Sequence, residues 1–268
     1  MPLHLTLPDT LRDRIAASDR ALIGLWASAS SPVTAEIVAG SGCDWVLLDA
    51  EHSPNGLESV LAQLHAMSAY PVAPLVRVPY GDTVTIKQFL DLGAQNLLVP
   101  MVDSAEQAEE IVRAMRYPPR GVRGVGSALA RSARWNRVDD YLNRADETIS
   151  LTVQIESTAA VADAERILAV AGIDAIFVGP SDLAASMGLL GQQNHPDVVD
   201  AVLRTIDLAV AAGTPVGVNA FVPADAERYI AAGASFVAVG ADVAILARQT
   251  EALVARFRGN DESERASY

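Results

Sequence analysis

The sequence predicts an α/β protein in which eight parallel strands alternate with helices and close into a TIM-type (β/α)8 barrel. Short apolar runs alternate with longer segments of helical period along the whole chain. The runs are apolar on both faces, as in a parallel sheet covered by helices. The 268 residues also match the roughly 250 typical of such a barrel. Closure leaves no strand edge, whereas a doubly wound sheet would carry a glycine fingerprint that is missing here. One barrel domain over 1–268 is therefore expected.

The strands are expected in "ALIGLWAS", "WVLLDA", "APLVRVP", "NLLVPMV", "SLTVQIES", "AIFVGPSD", "PVGVNAF" and "FVAVG". Between them, "TAEIVAGSG", "LESVLAQLHAMSAY", "TVTIKQFLDLG", "SAEQAEEIVRAMRY", "AVADAERILAVAG", "HPDVVDAVLRTIDLAVAAG" and "PADAERYIAAG" read as helices. Gly93, Gly172, Gly213 and Gly233 stand just before strands, where a left-handed residue ends a helix. The connection from Tyr117 to Thr148, rich in Pro, Gly and Arg, breaks the rhythm. A connection of that length serves as a lid or a subunit contact, or is plain surface.

A net charge of −13 opposes docking on phosphate backbones or anionic lipid, so neither nucleic acid nor a membrane surface is an expected partner. The single cysteine, Cys43, allows no intrachain disulfide, which fits a reducing cytoplasm. The charged N-terminus has no apolar signal-peptide core, and no apolar run reaches the roughly 20 residues of a membrane span.

In a barrel the chemistry sits at the C-terminal strand ends, and here those ends are unusually polar. They present Trp26, then Asp49 and His52, then Arg77, then Gln154 and Glu156, then Ser181 and Asp182. Period-2 alternation puts Gln154 and Glu156 on one face, and Arg77 on the face of Leu75. Glu156 and Asp182 end consecutive strands and point into one mouth. Two carboxylates so placed call for a hard divalent cation of Mg2+ or Mn2+ type, or else each caps a helix or pairs with an Arg. Arg77 in an apolar strand needs an anion: a salt bridge to Glu156 or Asp49, or a substrate oxyanion. Asp49, three residues before His52, can fix an imidazole tautomer and raise its basicity. Trp26 reads as packing or pocket wall, and Asp91 as a solvated helix residue. No strand carries a lysine, which argues against a Schiff-base aldolase, and no Ser-His-Asp or zinc motif occurs.

Taken in order, "GLW", "WVLLDAEHSPNG", "PLVRVP", "IKQFLDLGAQNLLVPMV", "YPPRGVRGVGSALARSARWN", "VQIES", "VGPSDLAASMG" and "FVAVGAD" resemble the HpcH/HpaI family of class II, metal-dependent pyruvate aldolases, of the 4-hydroxy-2-oxoheptane-1,7-dioate aldolase type, over nearly the full length. The resemblance implies a barrel of the phosphoenolpyruvate/pyruvate-binding type that cleaves 4-hydroxy-2-oxoacids to pyruvate, or hydroxypyruvate, plus an aldehyde, as in aromatic catabolism. It implies that Glu156 and Asp182 hold the metal (Mg2+ or Mn2+, with Co2+, Ni2+ or Zn2+ as other candidates). Gln154 and the backbone at Gly179, Pro180 and Ser181 would contact the 2-oxoacid, and Arg77 would stabilise the enolate. His52 would be the acid/base with Asp49 as its partner, and Asp91 would increase its basicity. Ser181 stands where the family has Ala. Phe221, Val222 and Trp26 would shape the acceptor pocket. The family also implies a homohexamer, a trimer of dimers that exchange the C-terminal helix "ILARQTEALVARF". An acyl-CoA lyase would need a basic groove, for which the arginines from Arg113 to Arg137 are candidates. A non-catalytic metabolite-binding barrel would leave His52, Arg77 and the carboxylates without a purpose.

Overall fold

In the computed structural model, which describes residues 3–258, eight strands form one closed parallel barrel in sequence order. They are β1 (Leu22–Ala27), β2 (Trp45–Asp49), β3 (Ala73–Arg77), β4 (Asn96–Val99), β5 (Ser150–Ile155), β6 (Ala175–Val178), β7 (Val216–Asn219) and β8 (Phe236–Ala241). The helices are α1 (Leu11–Ala17), α2 (Pro32–Ala39), α3 (Leu57–Ala66), α4 (Thr83–Asp91), α5 (Ala105–Met115), α6 (Tyr141–Arg144), α7 (Thr158–Ala162), α8 (Ala164–Leu168), α9 (Pro180–Ser186), α10 (Pro196–Ala212), α11 (Pro223–Ala231) and α12 (Asp242–Arg258). Several differ from the sequence reading, α6 and α9 among them, which fall where no helix was expected. The single helix expected over 160–172 is the pair α7 and α8, broken at Asp163. No element was expected at α1, whose start is marked by a Thr10–Asp13 capping box.

Alternation along each strand divides the core in two. Val46, Leu48, Val76, Leu97, Val153 and Ile176 face the helices. Their neighbours Trp45, Leu47, Leu75, Leu98, Phe177 and Phe236 fill the barrel interior. Trp45 packs edge-on against Phe236 and Phe177, at centroid distances of 5.5 and 6.4 Å. Room for these rings comes from two glycines. A Cβ on Gly24 would lie 2.1 Å from the Trp45 ring, and one on Gly217 would lie 2.4 Å from Phe236.

Each helix after a strand returns from the mouth of the barrel to its foot, where the next strand begins. At the foot α1 plugs the interior: Leu11 and Ile15 join the inner cluster, and the Leu11 amide donates to Asn96 Oδ1 at 2.7 Å. The long connection between α5 and β5 also lies at the foot, since α5 ends there and β5 starts there. It is therefore no lid over its own mouth. A fully buried Arg123 anchors it by donating to Asp91 Oδ1 at 2.9 Å and stacking 4.6 Å over the Tyr117 ring. Arg116 and Arg120 are spent on Asp146. No basic groove at the mouth arises from this loop, which removes the feature an acyl-CoA reading needed. Within it, Arg134, Trp135 and Asn136 are all left-handed, and Trp135 is exposed.

α12 buries little of itself. Val243, Ile245, Leu246, Leu253, Val254 and Phe257 remain exposed along it. Among the described residues no helix is long and apolar enough to cross a membrane.

Candidate active site

The last inward-facing layer of the barrel switches from apolar to polar, and the site is built from that layer. Asp49 and Arg77 are register partners on β2 and β3. Both are 2% exposed. Arg77 donates through Nε to Asp49 Oδ1 at 2.9 Å and through Nη2 to Oδ2 at 2.8 Å. Its third nitrogen, Nη1, lies 2.8 Å from Glu51 Oε2, an ion pair lacking hydrogen-bond alignment. Burial works against the Arg77 charge, but Asp49 and then Glu51 outweigh it, so the guanidinium is held even more firmly charged than usual. The plane of Trp26 lies against it, with Arg77 Cζ 4.7 Å from the ring centroid. Phe221 meets Trp26 edge-on at 5.7 Å. Arg77 is thus gripped on three sides.

The turn after β2 is fixed by Asn55, which donates to the Asp49 carbonyl at 2.7 Å and accepts from the fully buried Gln63 at 2.6 Å. Asp49 Oδ1 accepts the Glu51 amide at 3.0 Å and the His52 amide at 3.4 Å. Asp49 therefore shapes the turn and holds Arg77, and it makes no bond to the His52 imidazole. The carboxylate nearest that ring is Glu51, whose Oε2 is 3.7 Å from Nε2, while the His52 side chain is 64% exposed. Glu51 stands with Asp49 and His52 at the end of the β2 run in the sequence, where it carried no role of its own. Its signal was present: an acid two residues beyond Asp49, on the same alternation.

On the opposite wall, Glu156 Oε1 accepts the amide of Met101 at 2.8 Å, and Oε2 is bonded to Gln154 Nε2. Met101 takes a left-handed backbone, unusual for a side-chain-bearing residue, to present that amide. Burial pushes the Glu156 carboxyl up to about 7, and repulsion from Asp182 and Glu51 adds to this. Gln154 Oε1 is buried without a partner. Gly179 closes over both: a Cβ there would meet Glu156 Oε2 at 2.7 Å and Gln154 Nε2 at 3.0 Å. Asp182 sits in the first turn of α9, exposed toward the mouth, with Pro180 and Ser181 before it.

Two carboxylates at one mouth, one of them costly to ionise, beside an amide oxygen without a partner, suit a hard cation, so Glu156, Asp182 and their surroundings fit a divalent metal. Among the described residues no three His, Cys, Asp or Glu side chains converge on one point, so the chain would supply two ligands, Glu156 and Asp182, and leave the remaining positions open. The Phe221 and Val222 side of the mouth opens into a pocket shared with Ser181, Asn194 and Asn219. Asp91 ends α4 and so lies at the foot, away from His52 of its own chain.

Residues 22–248 match the model of the HpcH/HpaI aldolase/citrate lyase family. The chain is 51% identical over 258 residues to a hydroxypyruvate/pyruvate aldolase of Deinococcus radiodurans, covering 96% of this chain and 93% of that one. It is 50% identical to a 4-hydroxy-2-oxo-heptane-1,7-dioate aldolase of Shigella sonnei, covering 89% and 91%. A crystal structure of a family protein from Burkholderia cenocepacia superposes with a TM-score of 0.88 at 40% identity, covering 92% of this chain and 98% of that one.

Proposed function

From membership of the HpcH/HpaI aldolase/citrate lyase family, to which this chain belongs, we propose a class II aldolase that cleaves 4-hydroxy-2-oxoacids to pyruvate or hydroxypyruvate plus an aldehyde, with named roles for the residues at the mouth. The observation that carries the assignment of roles is Arg77, buried and held charged, with Glu156 close enough to act on that charge and Glu51 linking it to His52.

Glu156 and Asp182 would hold a divalent cation, Mg2+ or Mn2+ by the hardness of their oxygens, which when bound supplies positive charge against which the 2-oxoacid can carry an enolate. Gln154 and the backbone at Gly179, Pro180 and Ser181 orient the 2-oxoacid. Arg77 donates to the C2 oxygen as charge builds on it. Because Asp49 and Glu51 already fix the guanidinium, little reorganisation is needed at that moment. His52, exposed at the mouth, takes the proton from the 4-hydroxyl. The O–H electron pair then forms the aldehyde carbonyl, the C3–C4 bond breaks, and its electrons pass into the enolate. Return of a proton to C3 completes pyruvate. Trp26, Phe221 and Val222 flank the acceptor end.

The exposed apolar side of α12 supports assembly with further copies, a hexamer of exchanged dimers being the form expected. Asp91 at the foot, bonded to Arg123, can raise the basicity of His52 only across a contact between copies.

A screen of pyruvate release from 4-hydroxy-2-oxoacids, with EDTA and with added divalent ions, tests the reading. Metal-restored release from at least one substrate is expected. Full activity in EDTA would remove the metal role, and no release from any substrate would remove the aldolase role.

A further inference from the structure

A second pocket lies at the foot of the barrel, remote from the mouth and unused by the chemistry above. It encloses about 270 Å3 between the N-terminal strap, α3 and the long connection after α5. Leu7, Leu64, Met67 and Val72 line it together with Arg14, Arg131 and Arg134.

The arginines are the anomaly. A Cβ on Gly93 would meet Arg131 Nη1 at 2.5 Å and Arg134 Nη1 at 3.0 Å, so the two guanidinium groups converge on one spot at the end of α4. Among the described residues neither has a carboxylate within ion-pair distance. Arg131 donates to the Leu92 carbonyl at 3.2 Å, and Arg134 to the Arg131 carbonyl at 2.5 Å. Arg14 donates to the Pro71 carbonyl at 3.0 Å and also feels Asp44. The one acid lining the pocket, Asp9, is exposed at its edge. In a chain of net charge −13, two half-buried cations without an acid are not for want of anions. Burial lowers Arg131 to about 10, and repulsion from Arg134 adds to it. His65, at the end of α3, is pushed down by burial and by the same two arginines. Like charges converging in a half-buried place cost free energy that a bound anion would offset.

We infer that this foot pocket binds an organic carboxylate with an apolar body, its carboxylate clasped by Arg131 and Arg134 and its body packed on Leu64, Met67 and Val72. Guanidinium forks suit a planar carboxylate, and the apolar wall favours a body over a bare ion. The pocket and the mouth lie at opposite ends of the barrel, so both can be filled at once.

Titration calorimetry with benzoate and with inorganic phosphate, at constant ionic strength and with saturating pyruvate and Mg2+ present, tests this. Saturable binding of one benzoate per chain is expected, unaffected by pyruvate and at least about tenfold tighter than phosphate. It should weaken about tenfold or more in Arg131→Gln/Arg134→Gln and persist in Arg77→Ala. If the double variant does not fold, the wild-type melting temperature serves instead: benzoate, but not equimolar chloride, should raise it saturably. No saturable binding, displacement by pyruvate, equal affinity for phosphate, or unchanged affinity in a folded double variant would each overturn the inference.

Discussion

Asp49 holds Arg77 through both carboxylate oxygens, at 2.9 and 2.8 Å, with each residue 2% exposed. This pairing is the Asp49 salt bridge that the sequence allowed for Arg77, and it makes Asp49 a support for the arginine proposed to stabilise the enolate, not a partner of the His52 ring. Asp49→Asn removes the compensating charge beneath a buried guanidinium and should cost about 3 kcal/mol of stability, read as a fall in denaturation midpoint at unchanged slope. A variant as stable as wild type would show that Glu51 alone compensates Arg77.

Glu51→Gln tests the other grip. The amide keeps the volume but gives up the charge beside Arg77 Nη1 and His52 Nε2. We expect kcat to drop about tenfold with little change in KM, because the binding groups stay in place while the charge-stabilising one loosens. A change confined to KM would place Glu51 in ground-state binding.

Gly179→Ala puts a methyl group where Glu156 Oε2 and Gln154 Nε2 already approach. The carboxylate must swing away from its place. Affinity for Mn2+, followed by the ion's own paramagnetic resonance signal, should weaken about tenfold or more, with the circular dichroism spectrum unchanged. Undiminished affinity would move the ion elsewhere.

The metal-free protein should lose stability as pH rises. Glu156 sits at about 7 when folded against an ordinary value of 4.5. Its ionisation therefore opposes folding: stability is full below pH 4.5 and declines through about pH 7, by roughly 3 kcal/mol. Denaturation midpoints in EDTA between pH 5 and 8 should show the decline, and Glu156→Gln should flatten it. A Glu156→Gln curve as steep as wild type would assign the dependence to other groups.

His52→Ala should cost more in aldol cleavage than in deuterium exchange of the pyruvate methyl group, since the imidazole stands at the outer rim while Arg77 and Glu156 lie deeper. Proton NMR in D2O and a coupled pyruvate assay on one preparation give both rates. Equal losses would mean that His52 serves enolisation as well.

The eight strands were readable because a buried parallel strand is a continuous apolar run, and the polar end of each run marked the mouth. Arg77, Glu156 and Gln154 stood out for the same reason: a polar side chain on an inward alternation needs a partner or a ligand. Contacts set by side-chain reach were not readable. Which of Asp49 and Glu51 faces His52 depends on how Asn55 and Gln63 fold the turn, and nothing in the order of residues fixes that. The break at Asp163 was hidden because one apolar period runs through α7 and α8. The position of the Tyr117–Thr148 connection was legible in principle. A segment that follows a helix and precedes a strand must lie at the foot, whatever its composition suggests.

The three tryptophans stand in three different surroundings. Trp26 lies against Arg77 at the mouth, Trp45, which begins β2, is fully buried among Phe177 and Phe236 inside the barrel, and Trp135 is exposed in the connection outside the foot. Each therefore reports a different place by fluorescence. A ligand at Arg77 should quench or shift Trp26, unfolding should red-shift Trp45, and iodide should reach Trp135 first. Single-tryptophan variants would turn these surroundings into three separate optical channels for following filling of the mouth, melting of the core and events at the foot in one molecule.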